Sequence, residues 1–326
     1  MEVHVFDLNR TLDSLFILLV AAVLLFSPIA TKAAPVERGF LYDGNTFTFI
    51  EFPGAGTTSV GDINNNGQVV GTYYIGLPPY YNDYRQSFLK NGDSWTTLNF
   101  PGAYLTNARG NNDMGAIVGY YVDDAYGKPA GFLMDGDTWN SFSYPNNTCP
   151  TYFSDINDNN QIVGYYSDGG DWHGFLYENN NWITIEFPGA DETVPSAINN
   201  NGQIVGTYII GTTQYAFYYD GVDWNTLNFP GAHLTTVSGI NNNGQIVGIY
   251  KTESDSYNSF LYDGVTWTSL DFLGVGKRAS GIDDSGRILG NYIYGYVNVP
   301  EPATMLLLGL GLMGLAGVRR KIKKVE

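Results

Sequence analysis

The chain has 326 residues, a formal net charge of −16, and only 15% charged against 15% aromatic residues. That length buries a sizeable core in one large or two ordinary domains, and the aromatic content excludes a disordered acidic chain. The acidic balance excludes a phosphate-binding face built on clustered Lys and Arg, and the single Cys149 excludes a disulfide framework and any cysteine-based metal site.

The first element is Leu15 to Ala30, a nearly unbroken apolar run. Its length suits the h-region of a signal peptide better than a full membrane span. Thr31-Lys32-Ala33 places small side chains at −3 and −1, so residues 1–33 are expected to be removed by cleavage after Ala33, with Ala30 second. The n-region departs from the usual pattern, with Glu2, Asp7 and Asp13 against Arg10. An N-terminal membrane anchor is the alternative.

Residues 36–298 repeat one unit. Ile63-Asn-Asn-Asn-Gly-Gln-Val-Val-Gly71 returns as Ile198 to Gly206 and Ile240 to Gly248, with looser copies ending at Gly119, Gly164 and Gly290. A second phrase around Gly39-Phe-Leu-Tyr-Asp-Gly44 places its Phe at 40, 88, 132, 175, 217 and 260. A third is Trp-x-x-Leu-x-Phe-Pro-Gly-Ala, as at Trp95 to Ala103. The closing glycines are spaced 48, 45, 42, 42 and 42 residues apart, a fixed period that means a repeat architecture.

Each unit reads as four short strands. Ser59 to Ile63 is strand a, Gln68 to Tyr74 strand b, Ser87 to Lys90 strand c and Trp95 to Phe100 strand d, joined by Asn-Gly turns and a long b–c loop. Phe-Pro-Gly then turns into the next unit, with Pro at i+1 and Gly at i+2. Four strands per unit is the blade of a β-propeller. The region opens with c and d only (39–52) and closes with a and b only (about 278–294), so five complete blades plus two complementary halves predict an all-β, six-bladed propeller closed by its own termini. An open solenoid would not need complementary halves. The phrases resemble HAF-type extracellular repeats of bacterial surface proteins, a family without a defined activity.

The a–b and c–d turns share one face of such a propeller; the b–c and d–a loops share the other. The turns are nearly uniform, while the loop face carries the length variation: 17, 13, 11, 11 and 12 residues separate each closing Gly from the next Phe. Binding residues favour loops on a rigid scaffold, and aromatic rings offer flat contact area. The candidate ligand-binding residues are therefore Tyr80, Tyr81 and Tyr84 of the longest loop, with Asp83 and Arg85 as polar anchors, and Tyr126, Trp172, His173 and Tyr257 of the others.

Metal and catalytic signals are thin. Asp62-x-Asn64-x-Asn66-Gly67 matches the start of a calcium loop, but its twelfth position is Tyr73 where a bidentate Glu belongs, and copies four and five have Ala197 and Gly239 for the leading Asp. The phrase is read as a turn, with no resident metal or cofactor. His173 and His233 lie in different blades, and no nucleophile elbow, zinc motif or phosphate loop is present. Residues 34–300 carry 27 acidic and 9 basic side chains, too many carboxylates to pair by eye as a glycosidase. The expected function is a non-catalytic binding protein for polysaccharide or protein. The alternative is a secreted polysaccharide lyase or hydrolase, which two carboxylates close together in the central pocket would favour.

The last element, residues 299–326, is Pro300-Glu301-Pro302, an uncharged segment from Ala303 to Val318, and a cluster beginning Arg319-Arg320-Lys321. By the positive-inside rule the cluster stays cytoplasmic and the repeats lie outside. The three parts, in this order, resemble the PEP-CTERM sorting signal. The resemblance implies processing near Pro300–Pro302 by exosortase, a membrane-embedded cysteine transpeptidase of Gram-negative bacteria. It also implies transient membrane anchoring and a cell-surface or extracellular-matrix destination.

Overall fold

The computed structural model describes residues 35–75, 85–124, 127–145, 150–253, 257–270 and 277–296. Within them lie 24 strands in six four-stranded antiparallel sheets and no helix. The terminal strands are β1 (Pro35–Tyr42) and β2 (Phe47–Ile50). Blade I is β3 (Ala55–Ile63), β4 (Val69–Ile75), β5 (Gln86–Asn91) and β6 (Ser94–Leu98). Blade II is β7 (Leu105–Asn111), β8 (Ile117–Val122), β9 (Ala130–Asp135) and β10 (Thr138–Phe142). Blade III is β11 (Thr151–Ile156), β12 (Ile162–Ser167), β13 (Trp172–Glu178) and β14 (Asn181–Ile185). Blade IV is β15 (Glu192–Ile198), β16 (Ile204–Ile210), β17 (Thr213–Tyr219) and β18 (Trp224–Leu227). Blade V is β19 (Leu234–Ile240), β20 (Ile246–Lys251), β21 (Tyr257–Tyr262) and β22 (Trp267–Ser269). Blade VI joins the two ends: β23 (Lys277–Ile282) and β24 (Ile288–Tyr296) continue into β1 and β2, in the order β2-β1-β24-β23.

The structure is thus the six-bladed, terminus-closed propeller that the repeat count predicts. Val36 to Gly295 forms one compact unit. The innermost strands β3, β7, β11, β15, β19 and β23 touch in turn, and β23 returns to β3. The sequence-predicted strands differ from the observed ones mainly in strand a, which starts at Ala55 rather than Ser59, and strand d, which ends at Leu98 rather than Phe100. Phe100 leaves the sheet because its carbonyl accepts from the Ala103 N–H at 3.0 Å and so begins the Phe-Pro-Gly-Ala turn.

The core sits between blades. Each apolar cluster draws on two neighbours: Ala197, Val205 and Leu227 of blade IV pack on Val237, Ile246 and Phe260 of blade V. At the closure, Ile50 and Leu289 of blade VI pack on Val60, Val69 and Phe88 of blade I. The recurring Phe is fully buried in all six blades. It lies opposite the closing glycine in the b–c ladder, as in Phe88↔Gly71, Phe175↔Gly164 and Phe217↔Gly206. At the blade junctions the Phe-Pro-Gly-Ala ring stacks on a strand-b tyrosine: Phe52 on Tyr73, Phe100 on Tyr121, Phe187 on Tyr208 and Phe229 on Tyr250, all at 3.7 Å.

The two faces are built differently. At the turn face, the first Asn of each Asn-Asn-Asn-Gly phrase folds its own turn and reaches the next blade. Asn199 Oδ1 accepts from Gln203 N at 3.0 Å, while its Nδ2 donates to Asn241 O at 2.9 Å. The second residue of the phrase closes a full circle. The backbone N–H groups of residues 65, 113, 158, 200, 242 and 284 each donate to the side chain of the next at 2.7–2.8 Å, and Asp284 N returns to Asn65 Oδ1. The first and third residues of the opening copy bond to the next blade as well, Asn64 Nδ2 to Asn112 O at 2.8 Å and Asn66 Nδ2 to Asp113 O at 2.9 Å.

The predicted signal peptide and its Ala33 cleavage point, the long-loop residues Tyr80, Tyr81 and Tyr84, Tyr126, Cys149, and the tail residues Pro300, Glu301, Pro302, Arg319, Arg320 and Lys321 lie outside the described residues. Among the described residues no helix is long and apolar enough to cross a membrane.

Candidate functional site: a polar cavity on the propeller axis

Every strand a carries the same irregularity. The a–b register slips between Val60 and Asp62, Ala108 and Gly110, Phe153 and Asp155, Pro195 and Ala197, Val237 and Gly239, and Ala279 and Gly281. A β-bulge leaves one residue without a ladder partner and re-aims its side chain. The six bulged residues are Gly61, Arg109, Ser154, Ser196, Ser238 and Ser280, and all six line a cavity of about 430 Å³. Four blades therefore present a serine to the axis, blade I presents nothing larger than hydrogen, and blade II presents a guanidinium.

The rest of the wall comes from strand b and the start of strand c, so the cavity opens on the b–c/d–a face. Tyr74, Arg85, Tyr165 and Glu37 contribute. Arg85 Nε donates to the Tyr74 hydroxyl at 2.6 Å, and Arg109 lies over the Tyr120 ring at 5.3 Å, with its charge acting on the Tyr165 hydroxyl. Ser59 Oγ donates to Glu37 Oε1 at 3.3 Å. Burial pushes the Glu37 carboxyl above its ordinary value, opposed by the Ser59 hydroxyl and by the charges of Arg85 and Arg278. The Ser154 and Ser280 hydroxyls are buried and make no hydrogen bond within the protein.

One step further along each strand a, the axis holds Asp62, Gly110, Asp155, Ala197, Gly239 and Gly281. The two carboxylates sit at the narrow, turn-face end, where a second cavity measures about 60 Å³. Each splices two blades: Asp62 Oδ2 accepts from Asn111 N at 3.2 Å, and Asp155 Oδ2 from Ile198 N at 2.9 Å. A methyl carbon at Gly110 would come within 2.6 Å of Asp155 Oδ1, so the small neighbours make room for the carboxylates. Burial raises both, Asp62 to about 7. The sign follows directly. An acid whose folded pKa lies above its unfolded value of 3.8 binds more protons when folded, so stability falls as pH rises from about 4 through 7. The lowered turn carboxylates Asp43, Asp168, Asp220 and Asp263 titrate below that window. Thermal unfolding is therefore expected at higher temperature at pH 5 than at pH 8. Asp62→Asn, which keeps an acceptor for Asn111 N, is expected to flatten that dependence. An unchanged slope in the variant refutes the assignment.

Of the described candidate residues, Arg85 lines this cavity, whereas Trp172, His173 and Tyr257 fall near it without lining it. Trp172 packs edge-on against Tyr152 and Tyr165 at 5.7 and 5.4 Å, so it props the wall from behind. His173 stacks on Tyr166 at 5.2 Å and stands between Glu186 and Asp168 at 3.0 and 3.4 Å. Tyr257 lies two blades away, between Lys251 and Arg278 at 5.2 and 4.5 Å. Apart from Arg85, the residues that converge on the axis come from the innermost strands and not from the long loops, where the sequence patterns direct attention. A usable signal was present: Ser stands two residues before the opening Ile of the phrase in four copies, and Arg109 takes that place before Asn111 in one. Among the described residues no group of three or more His, Cys, Asp or Glu is placed to hold a metal.

Comparison with known proteins agrees with both parts of the chain. Residues 298–321 match the PEP-CTERM protein-sorting motif, which marks an exported protein for processing by exosortase. No curated protein matches the sequence. Among solved structures, a protein assigned as TolB from Agrobacterium tumefaciens is similar, with a TM-score of 0.59 at 10% identity over 80% of this chain and 99% of that one. TolB from Acinetobacter baumannii gives 0.51 at 11% identity over 80% of this chain and 64% of that one. The SapL1 lectin in complex with alpha methyl fucoside gives 0.48 at 15% identity over 76% and 95%. Likeness at such identities concerns the fold, and the two TolB structures share the propeller architecture of this chain.

Proposed function

We propose that this is a non-catalytic binding protein, displayed at the cell surface or in the extracellular matrix, that holds polysaccharide or protein in the axial cavity of its loop face. The observation that carries the reading is the cavity itself: an opening of about 430 Å³ lined by hydroxyl and guanidinium groups on the rigid innermost strands. The sorting motif supports the destination, and the likeness of the repeats to HAF-type extracellular repeats agrees with it. Exosortase is the transient processing partner, acting near Pro300–Pro302. The loop residues Tyr80, Tyr81, Tyr84 and Tyr126, which lie outside the described residues, remain candidates for ligand contact in this reading.

A polysaccharide hydrolase would need two carboxyl groups flanking the scissile bond. Glu37 is the one carboxylate among the described residues lining the cavity, and Asp62 and Asp155 spend their oxygens on backbone N–H groups at the other end. The test is a glycan array read beside a reducing-end release assay, on the purified exported protein. Retention of a polysaccharide without release of reducing ends is the expected result. Release that rises with time refutes the non-catalytic reading. Failure to hold any polysaccharide or surface protein refutes the binding role.

A further inference from the structure

In a repeat array the positions that recur hold the fold, and those that break the pattern are free to serve a ligand. At the axial bulge the pattern is serine, and blade II breaks it with Arg109. Blade I breaks it with Gly61, where a methyl carbon would come within 3.0 Å of the Arg109 backbone. The missing side chain lets strand β3 approach the backbone beside Arg109 closely. Arg85 reaches the same cavity from the start of β5, held by its hydrogen bond to Tyr74. Arg278 is close enough for its charge to act on Glu37 at the cavity wall. Three of the nine basic side chains of 34–300 thus gather at one end of the axis of a strongly acidic domain. Against the single Glu37 they leave the cavity positive. A positive recess in an otherwise negative surface focuses anions into itself.

The remaining wall determines which anion. Ser154, Ser196, Ser238 and Ser280 ring the axis with hydroxyls. Ser154 is only 7% exposed, and its Oγ and that of Ser280 have no partner within the protein. A buried hydroxyl without a partner costs free energy, which is recovered when the side chain turns toward the cavity and meets a ligand's own hydroxyl. Guanidinium forks match carboxylates in planar, bidentate fashion. A ring of hydroxyls around two guanidiniums matches a ligand that carries one carboxylate and several hydroxyls on a compact frame.

We propose that the cavity takes a uronate residue of an acidic polysaccharide, with its carboxylate on Arg109 and Arg85 and its hydroxyls on the serine ring. This rests on the reading above that the axial cavity is the ligand site. An acidic peptide would satisfy the guanidiniums and leave the serines unmatched.

The experiment is titration calorimetry on the purified full chain with oligogalacturonate, its methyl ester and N-acetylglutamate, run at low and high salt. Oligogalacturonate is expected to bind, the neutral methyl ester at least about 10-fold more weakly, and affinity is expected to fall with salt. Arg109→Gln and Arg85→Gln are each expected to weaken oligogalacturonate about 10-fold or more with thermal unfolding little changed. Should Arg109→Gln fail to fold, Arg109→Lys is measured instead; it keeps the charge, loses the fork, and is expected to lose affinity part-way. Equal binding of ester and acid, undiminished binding by the Arg109 and Arg85 variants, or N-acetylglutamate binding as tightly as the uronate each overturn the assignment. A chain that holds neutral glycans but no uronate overturns this inference and leaves the binding function standing. A chain that holds no glycan and no surface protein overturns both.

Discussion

Deleting residues 36–53 is expected to unfold the propeller or to lower its melting temperature by about 10 °C or more, whereas deleting the equally long 299–316 leaves melting almost unchanged. The first deletion removes β1 and β2, the two outer strands of blade VI. It strips Phe40 from a cluster with Ala279, Ile282 and Ile288, and Ile50 from the cluster joining blade VI to blade I. Losing one buried Phe costs about 3–5 kcal/mol, and β24 would also lose a ladder of backbone hydrogen bonds. Set against a total of about 5–15 kcal/mol for a domain, that loss is a large share, and each kcal/mol moves the midpoint by about 2–4 °C at this size. Calorimetry of the two truncations decides the matter. Equal midpoints would mean that the terminal half-blade does not close the ring.

Gly206→Ala is expected to destabilise by several kcal/mol, although it adds one methyl group. A Cβ at this position would run into the Val194 carbonyl oxygen and meet the Phe217 ring at 2.7 and 2.8 Å. Phe217 is fully buried and Val194 sits in the paired strand β15, so neither gives way cheaply. Gly170→Ala is the control, because its nearest neighbour would be Asp168 Oδ1 at an ordinary 3.7 Å. Denaturant titration is expected to separate the two variants clearly. Similar midpoints would show that the closing glycine is not required by packing against the recurring phenylalanine.

That packing is why the fold could be read from the sequence. The closing glycine and the recurring Phe lie opposite each other in one ladder, so each constrains the other in every copy and both appear as fixed phrases. The Asp of each Asp-Gly turn was legible for a similarly local reason: Asp43 Oδ1 accepts from Asn45 N and Thr46 N, as Asp263 Oδ1 does from Val265 N and Thr266 N. The cavity was less legible. Its lining comes one residue per blade, from positions about 42–48 apart in the chain, and what aims them inward is a register slip. Alternation alone assigns such a residue to the wrong side of a strand. Arg109 has no local motif, and only aligning the six copies exposes it as an exception. Trp172 and Tyr257 were chosen for being aromatic and on loops, and they serve as packing and charge partners beside the site.

The Asn291 side chain clasps the Val60 peptide, accepting from its N–H at 2.8 Å and donating to its carbonyl at 2.9 Å across 231 residues. Together with β24 lying between β23 and β1, this clasp sets an order of events for a chain made from its N-terminus onward. Blades I to V can each assemble from consecutive residues as they emerge. Blade VI cannot, because its inner strands arrive last and must find outer strands that arrived first. Maturation of the ring is therefore timed to the passage of residues 277–296, immediately ahead of the sorting motif at 298–321. A chain halted before that point leaves β1 and β2 without the inner strands of their blade.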